Sequence, residues 1–164
     1  VFEPQREISD LLKKKFKNNK IKISNFAIGR NNKKNFLYVN KFKKTSTLSK
    51  ETIFSSSIYN KLKNLLLRSQ SYEYKYPVKT ISLDSFFSNK KIVKSLLKID
   101  VEGYEMEVLK GAEKTLQDVQ YIMIELNNNT KKYGSSNGKI EEYLESLGFK
   151  SLIKQWPDQV FRKK

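Results

Sequence analysis

Residues 96–126, LLKIDVEGYEMEVLKGAEKTLQDVQYIMIEL, decide how this chain is read. Residues 96–100 are a short apolar run of strand length, so a central parallel strand is expected there. Lys98 interrupts the run, and its stem can snorkel past a strand edge while the ammonium stays in water. The turn that follows, residues 100–103, carries two acids. Gly103 then opens a helix expected to reach about Leu116, because Tyr104, Val108, Leu109, Ala112 and Leu116 share one helical arc. Glu105 falls inside that apolar arc, where a charge needs a partner. It can cap first-turn amides or pair with a lysine. YIMIEL, at 121–126, is the next buried strand.

Working outward, the chain opens on Val1-Phe2-Glu3-Pro4, the end of a strand closed by an acid. Ile8, Leu11, Leu12 and Phe16 follow at helical spacing and predict one apolar stripe. Residues 21–28 alternate like a strand, Gly29 and Asn31-Asn32 turn the chain, and residues 35–40 form a second short strand. Residues 41–77 are rich in Lys, Ser and Thr, with a short amphipathic helix at 58–66. They read as an insertion near a binding edge. A strand at 78–83, a short helix at 84–87, a helix at 140–147 capped by Gly148, and two closing antiparallel strands complete the pattern. The expected fold class is α/β: a Rossmann-like, mostly parallel sheet with a closing antiparallel strand, in a single domain spanning 1–164. Right-handed crossovers then bring most strand carboxyl ends to one edge.

Composition narrows the chemistry. The chain of 164 residues contains no Cys and no His, which removes disulfides, thiolate chemistry and every Ser-His triad. The net charge of +16 invites a nucleic-acid reading, yet only Arg6, Arg30, Arg68 and Arg162 are arginines and the lysines are spread along the whole length. A solvated surface is the expected use of that charge, and a nucleic-acid partner is not expected. No apolar run approaches the ~18 residues of a membrane span. No charged-then-apolar leader is visible, which fits either a cytoplasmic protein or a chain whose natural start lies upstream.

Acids at strand ends are the candidate site. Glu3 can accept hydrogen bonds from ribose hydroxyls, or simply favour a helix N-terminus. Asp100 is aimed at the crevice beyond the sheet, where it can hold a cofactor's charged end or a substrate hydroxyl. The alternative is an N-cap. Glu102 lies in the turn, and Glu125 near the end of YIMIEL can complete an acid cluster with Asp100. Such a cluster suits Mg²⁺, but nothing demands a metal.

At these residues the chain resembles the FkbM-type family of S-adenosylmethionine-dependent methyltransferases. The matching pieces are VFEP (1–4), NFAIG (25–29), TSTLS (45–49), VKTISLDSFF (78–87), LLKIDVEGYEMEVLKGAEKTL (96–116) and YIMIEL (121–126), in the family's order. The resemblance implies S-adenosyl-L-methionine as cofactor and methyl transfer to a hydroxyl of a sugar or other small metabolite. It implies Glu3 at the ribose, Ala27 and Ile28 near the adenine, and Asp100, Glu102 and Glu105 in the motif that lines the crevice. With no His, the base is a carboxylate, Lys, Tyr or water. Asp100 is the choice, with Glu102 and Glu125 beside it. The family's Gly-rich first strand and turn is not in this sequence. The chain is therefore expected to be the C-terminal portion of a longer protein that methylates, and to be inactive on its own, with a gap lined by apolar side chains where that central strand would lie. Three other readings compete: an NAD or nucleotide-sugar enzyme, a Lys-rich module binding an anionic polymer, and a non-catalytic remnant.

Overall fold

In the computed structural model, which describes residues 1–18, 20–40, 46–48, 72–126, 137–155 and 157–164, alternating side chains build two four-stranded sheets. The first holds β1 (Ala27–Ile28), β2 (Lys33–Asn40), β3 (Ser46–Thr47) and β4 (Tyr72–Ile81), in the order β1-β4-β2-β3. β1 runs parallel to β4, with Ala27 opposite Thr80, while β2 is antiparallel to both β4 and β3. Leu37 and Val39 of β2 and Val78 of β4 turn to one side, where they form a small core with Ala27 and Leu48. Lys34, Phe36 and Lys79 face water from the other side.

The second sheet holds β5 (Leu96–Ile99), β6 (Tyr121–Glu125), β7 (Phe149–Lys154) and β8 (Asp158–Lys163), in the order β5-β6-β8-β7. β5 and β6 are the parallel pair of the expected βαβ unit, and β8 is antiparallel to both β6 and β7. Ile99, Ile122, Ile124, Phe149 and Phe161 from these strands meet Leu109, Leu116, Ile140 and Leu144 from the helices, and Ala112 from the connection after residue 110, in the main core.

The expected mostly parallel Rossmann-like sheet is thus corrected to two mixed sheets. A single βαβ unit supplies one parallel pair, whereas the β2–β4 ribbon and the closing β7–β8 pair are antiparallel neighbours. β5, expected in the middle of a sheet, is an edge strand: Leu96 is 61% exposed, and among the described residues no strand pairs with its outer side. The strand expected at 21–28 shortens to a parallel bridge between Phe2 and Ser24, followed by β1. β4 begins well before residue 78 and takes in Tyr76 and Pro77. The helix expected at 58–66 and the turn residue Trp156 lie outside the described residues.

The helices are α1 (Arg6–Lys15), α2 (Leu83–Phe87), α3 (Glu105–Lys110), α4 (Thr115–Asp118) and α5 (Asn137–Ser146). In α1 the anticipated stripe is only partly covered: Leu11 is exposed and Ser9 is fully buried. Periodicity identifies an apolar face without saying what will cover it. The helix expected from Gly103 to Leu116 is broken at Gly111, and the break has a packing cause. A Cβ at Gly111 would collide with the carbonyl oxygen of Gly29 and come within 2.9 Å of the Arg30 Cα. The Gly111 carbonyl also accepts the Asp84 N–H at 3.0 Å. The Asp84 carboxylate in turn accepts the Lys114 and Thr115 N–H groups at 3.1 and 2.7 Å, which caps α4. Gly148 has φ 84°, the left-handed C-terminal cap that the sequence calls for. Lys163 closes the far end by donating to the carbonyls of Leu116 and Leu147 at 3.2 and 2.8 Å, with its ammonium 4.7 Å from the Phe149 ring centroid.

Two stability predictions follow from this joint. Gly111→Ala should cost about 3 kcal/mol in urea unfolding, the upper range for forcing atoms into packed space, because the neighbour is backbone and cannot swing away. Asp84→Ala should cost about 1 kcal/mol, the usual loss of a helix cap, with an unchanged urea dependence.

Candidate functional site

The two sheets leave a cavity of about 780 Å³ between the N-terminal segment and β5. Phe2 and Glu3 form one side, held by the Glu3 N–H donating to Ser24 at 3.0 Å and the Ser24 N–H donating to Val1 at 2.9 Å. β1 and β2 contribute Ala27, Ile28 and Leu37, and Leu48 follows β3. β5 and the turn after it supply the opposite wall, from Leu96 through Glu102.

Sequence reasoning placed Glu3, Ala27, Ile28, Asp100, Glu102 and Glu125 in the site, and the structure brings all six to the lining of this one cavity. Their environments differ. Glu3 accepts the Gln5 N–H at 2.7 Å and is partly buried; burial raises its carboxyl above the usual Glu value, with that hydrogen bond acting in the opposite direction. Asp100 sits at the exposed rim, 3.7 Å from the Lys98 ammonium, so the cavity mouth carries both signs of charge. Ala27 and Ile28 give a buried apolar wall. Among the described residues no group of three acids is arranged to hold a metal ion.

Glu105, matched to the same motif, behaves differently. It is not on the cavity lining. It is 1% exposed, its Oε1 accepts the Gly103 N–H at 2.9 Å, and its Oε2 is buried without a hydrogen-bond partner. Burial raises its pKa above the ordinary Glu value, offset in part by the backbone amides of Gly103, Glu105 and Val101. The turn it touches is unusual: Glu102 has φ 52° and Gly103 φ 95°, two successive left-handed residues of which only one is glycine.

Tyr104, like Val108, is a cavity residue that sequence reasoning put elsewhere, as one more apolar position of a helix. It lines the cavity, half-buried, against Gly29, and its hydroxyl is hydrogen-bonded to the Asn35 side chain. Burial, then Glu107, raise its pKa, which makes it a poor base. Gln5 and Ser46, 3.4 Å apart, also line the cavity and tie the N-terminal segment to β3. Only their place within VFEPQ and TSTLS could have signalled them.

The buried acid predicts a pH dependence. A raised folded-state pKa means that the folded chain holds the Glu105 proton more tightly than the unfolded chain. The stability this adds is complete below the ordinary Glu value and is lost as pH rises through the raised value. Glu105→Gln removes the dependence. Denaturation midpoints of variant and wild type, compared from about pH 4 to about pH 8, should shift in the variant's favour as pH rises.

A family model described as the Methyltransferase FkbM domain matches residues 1–151. The hexuronic acid methyltransferase AglP of Haloferax volcanii is 40% identical over 58 residues, 35% of this chain and 24% of that protein. The crystal structure of methyltransferase FkbM from Methylobacillus flagellatus superposes on 98% of this chain and 35% of its own, with a TM-score of 0.54 and 13% identity, a likeness of fold. The chain thus spans about a third of that solved structure, and its match to the curated relative about a quarter of that protein. The family model covers residues 1–151 of the 164: the chain belongs to the FkbM methyltransferase family.

Proposed function

We propose that this chain acts in S-adenosylmethionine-dependent O-methylation of a hydroxyl on a sugar or other small metabolite. The observation that carries the reading is the convergence of Glu3, Ala27, Ile28, Asp100, Glu102 and Glu125 on one cavity. The donor set fits the cofactor: a ribose diol offers two hydroxyl donors to Glu3, an adenine ring suits the apolar wall of Ala27 and Ile28, and a sulfonium cation suits acidic surroundings. S-adenosylmethionine would supply a methyl group carried on positively charged sulfur.

The chain's own residues orient the acceptor and move its proton. Asp100, at the rim, takes the proton of the acceptor hydroxyl as the oxygen becomes nucleophilic. Lys98, paired with Asp100, keeps a positive charge beside an acidic or hydroxylated acceptor. Glu102 and Glu125 keep the same wall negative, which favours a cationic methyl donor over an anionic one. A saccharide acceptor is supported by the relative named a hexuronic acid methyltransferase, and the net charge of +16 draws anionic acceptors toward the surface.

Calorimetric titration tests the reading. S-adenosylmethionine should bind and NAD should not. Glu3→Ala should weaken binding by about 10-fold or more, the range for losing a hydrogen bond to a charged group. Asp100→Asn should leave binding within about twofold and lower turnover by about 100-fold, the lower range for general-base catalysis. A folded chain that binds NAD as well as S-adenosylmethionine, or neither, ends the proposal.

A further inference from the structure

Glu105 is a buried acid with no part in the scheme above. Its carboxyl lies in the core, 1% exposed, with one oxygen lacking any hydrogen-bond partner. A buried polar atom left unpaired is a standing cost. A rule broken in this way marks a residue kept for something other than stability. Its other oxygen shows what that is, because it accepts the N–H of Gly103 at 2.9 Å.

That amide sits in the middle of the most constrained piece of backbone at the cavity. Glu102 and Gly103 are successive left-handed residues, at φ 52° and 95°. A non-glycine residue stays there only when its surroundings hold it. The consequence of the turn is positional. The chain leaves β5 at Ile99, passes Asp100 and Glu102 along the cavity wall, reverses, and brings Tyr104 back to the same wall before α3 begins. Straightening Glu102 to ordinary backbone angles would redirect its side chain and the carboxylate two residues before it.

We propose that Glu105 is the positioning residue of the site: by accepting the Gly103 N–H, its Oε1 holds the left-handed turn that sets Asp100 and Glu102 on the cavity wall. It touches neither cofactor nor acceptor. Its effect on ligand binding rests on the methyl-transfer reading, whereas its hold on the turn does not. The role needs an oxygen acceptor at this reach, not a negative charge. Glutamine should therefore replace glutamate, while alanine or the shorter aspartate should not.

The experiment compares Glu105→Ala, Glu105→Asp and Glu105→Gln with wild type in two measurements on the whole chain. Amide ¹⁵N–¹H spectra without ligand should show Gly103 and residues 100–102 displaced in the Ala and Asp variants and restored in Gln, with core amides such as Ile122 and Leu144 unmoved. Calorimetry with S-adenosylmethionine should show about 10-fold weaker binding for Ala and Asp, because Glu102, whose charge favours the cationic methyl donor, is displaced, and Gln within about twofold of wild type. Should the Ala variant fail to fold, Asp and Gln carry the comparison. Unmoved resonances at 100–103 in Ala or Asp overturn the proposal. So does a displaced turn with wild-type affinity, since the turn would then not set Glu102 against the methyl donor. Wild type that binds no S-adenosylmethionine overturns the cofactor reading instead, and the spectra still decide whether Glu105 holds the turn.

Discussion

Everything at the cavity depends on one close approach. The backbone at Gly111 lies against the carbonyl of Gly29, at a distance that leaves no room for a Cβ. Gly29 ends β1, which carries Ala27 and Ile28. Gly111 ends α3, which follows the turn carrying Asp100 and Glu102. The contact therefore joins the two halves of the cavity by backbone, without long side chains whose rotamers could drift. Asp84 reinforces the joint from α2: its N–H reaches Gly111 and its carboxylate caps α4. Tyr104 fills the space beside Gly29, so the same residue packs the joint and lines the site.

This arrangement explains why the polar groups near the cavity fall into two kinds. Asp100 and Lys98 are exposed and paired at 3.7 Å, an interaction in high dielectric that contributes little to stability and leaves both groups ready for a ligand. Glu105 is the opposite case, withdrawn from water and held by backbone amides of its own turn, that of Gly103 at 2.9 Å. Glu3 is intermediate, partly buried with one backbone partner. A wall that grades from exposed ion pair to desolvated acid over a few residues offers a ligand charge recognition at the rim and fixed backbone geometry behind it.

Much of this was readable beforehand. The strand–acid–helix–strand order of 96–126 identified β5, α3 and β6; the acids picked out Glu3, Asp100, Glu102 and Glu125, the family resemblance added Ala27 and Ile28, and all six line one cavity. The helical wheel placed Glu105 on a buried face, and Gly148 marked the left-handed end of α5. These features are local: periodicity, turn chemistry and the side-chain direction of strand ends follow from a few neighbouring residues. The expectation of a single mostly parallel sheet failed because pairing partners are not local. Nothing in KKNFLYVN or YEYKYPVKTI says that the two form a long antiparallel ribbon.

By itself, the sequence determined the class of elements, the absence of histidine and thiol chemistry, and the acids available for binding. The tertiary structure alone decided that the residues divide between two mixed sheets and that the helix after Gly103 breaks at Gly111. It also decided that Tyr104 faces the cavity and that one oxygen of Glu105 is left unpaired in the core. The physical reason is the same in each case. Whether a glycine meets another backbone, as Gly111 meets Gly29, depends on atoms many tens of residues apart being packed to within a few ångströms. Composition and spacing carry no information at that precision.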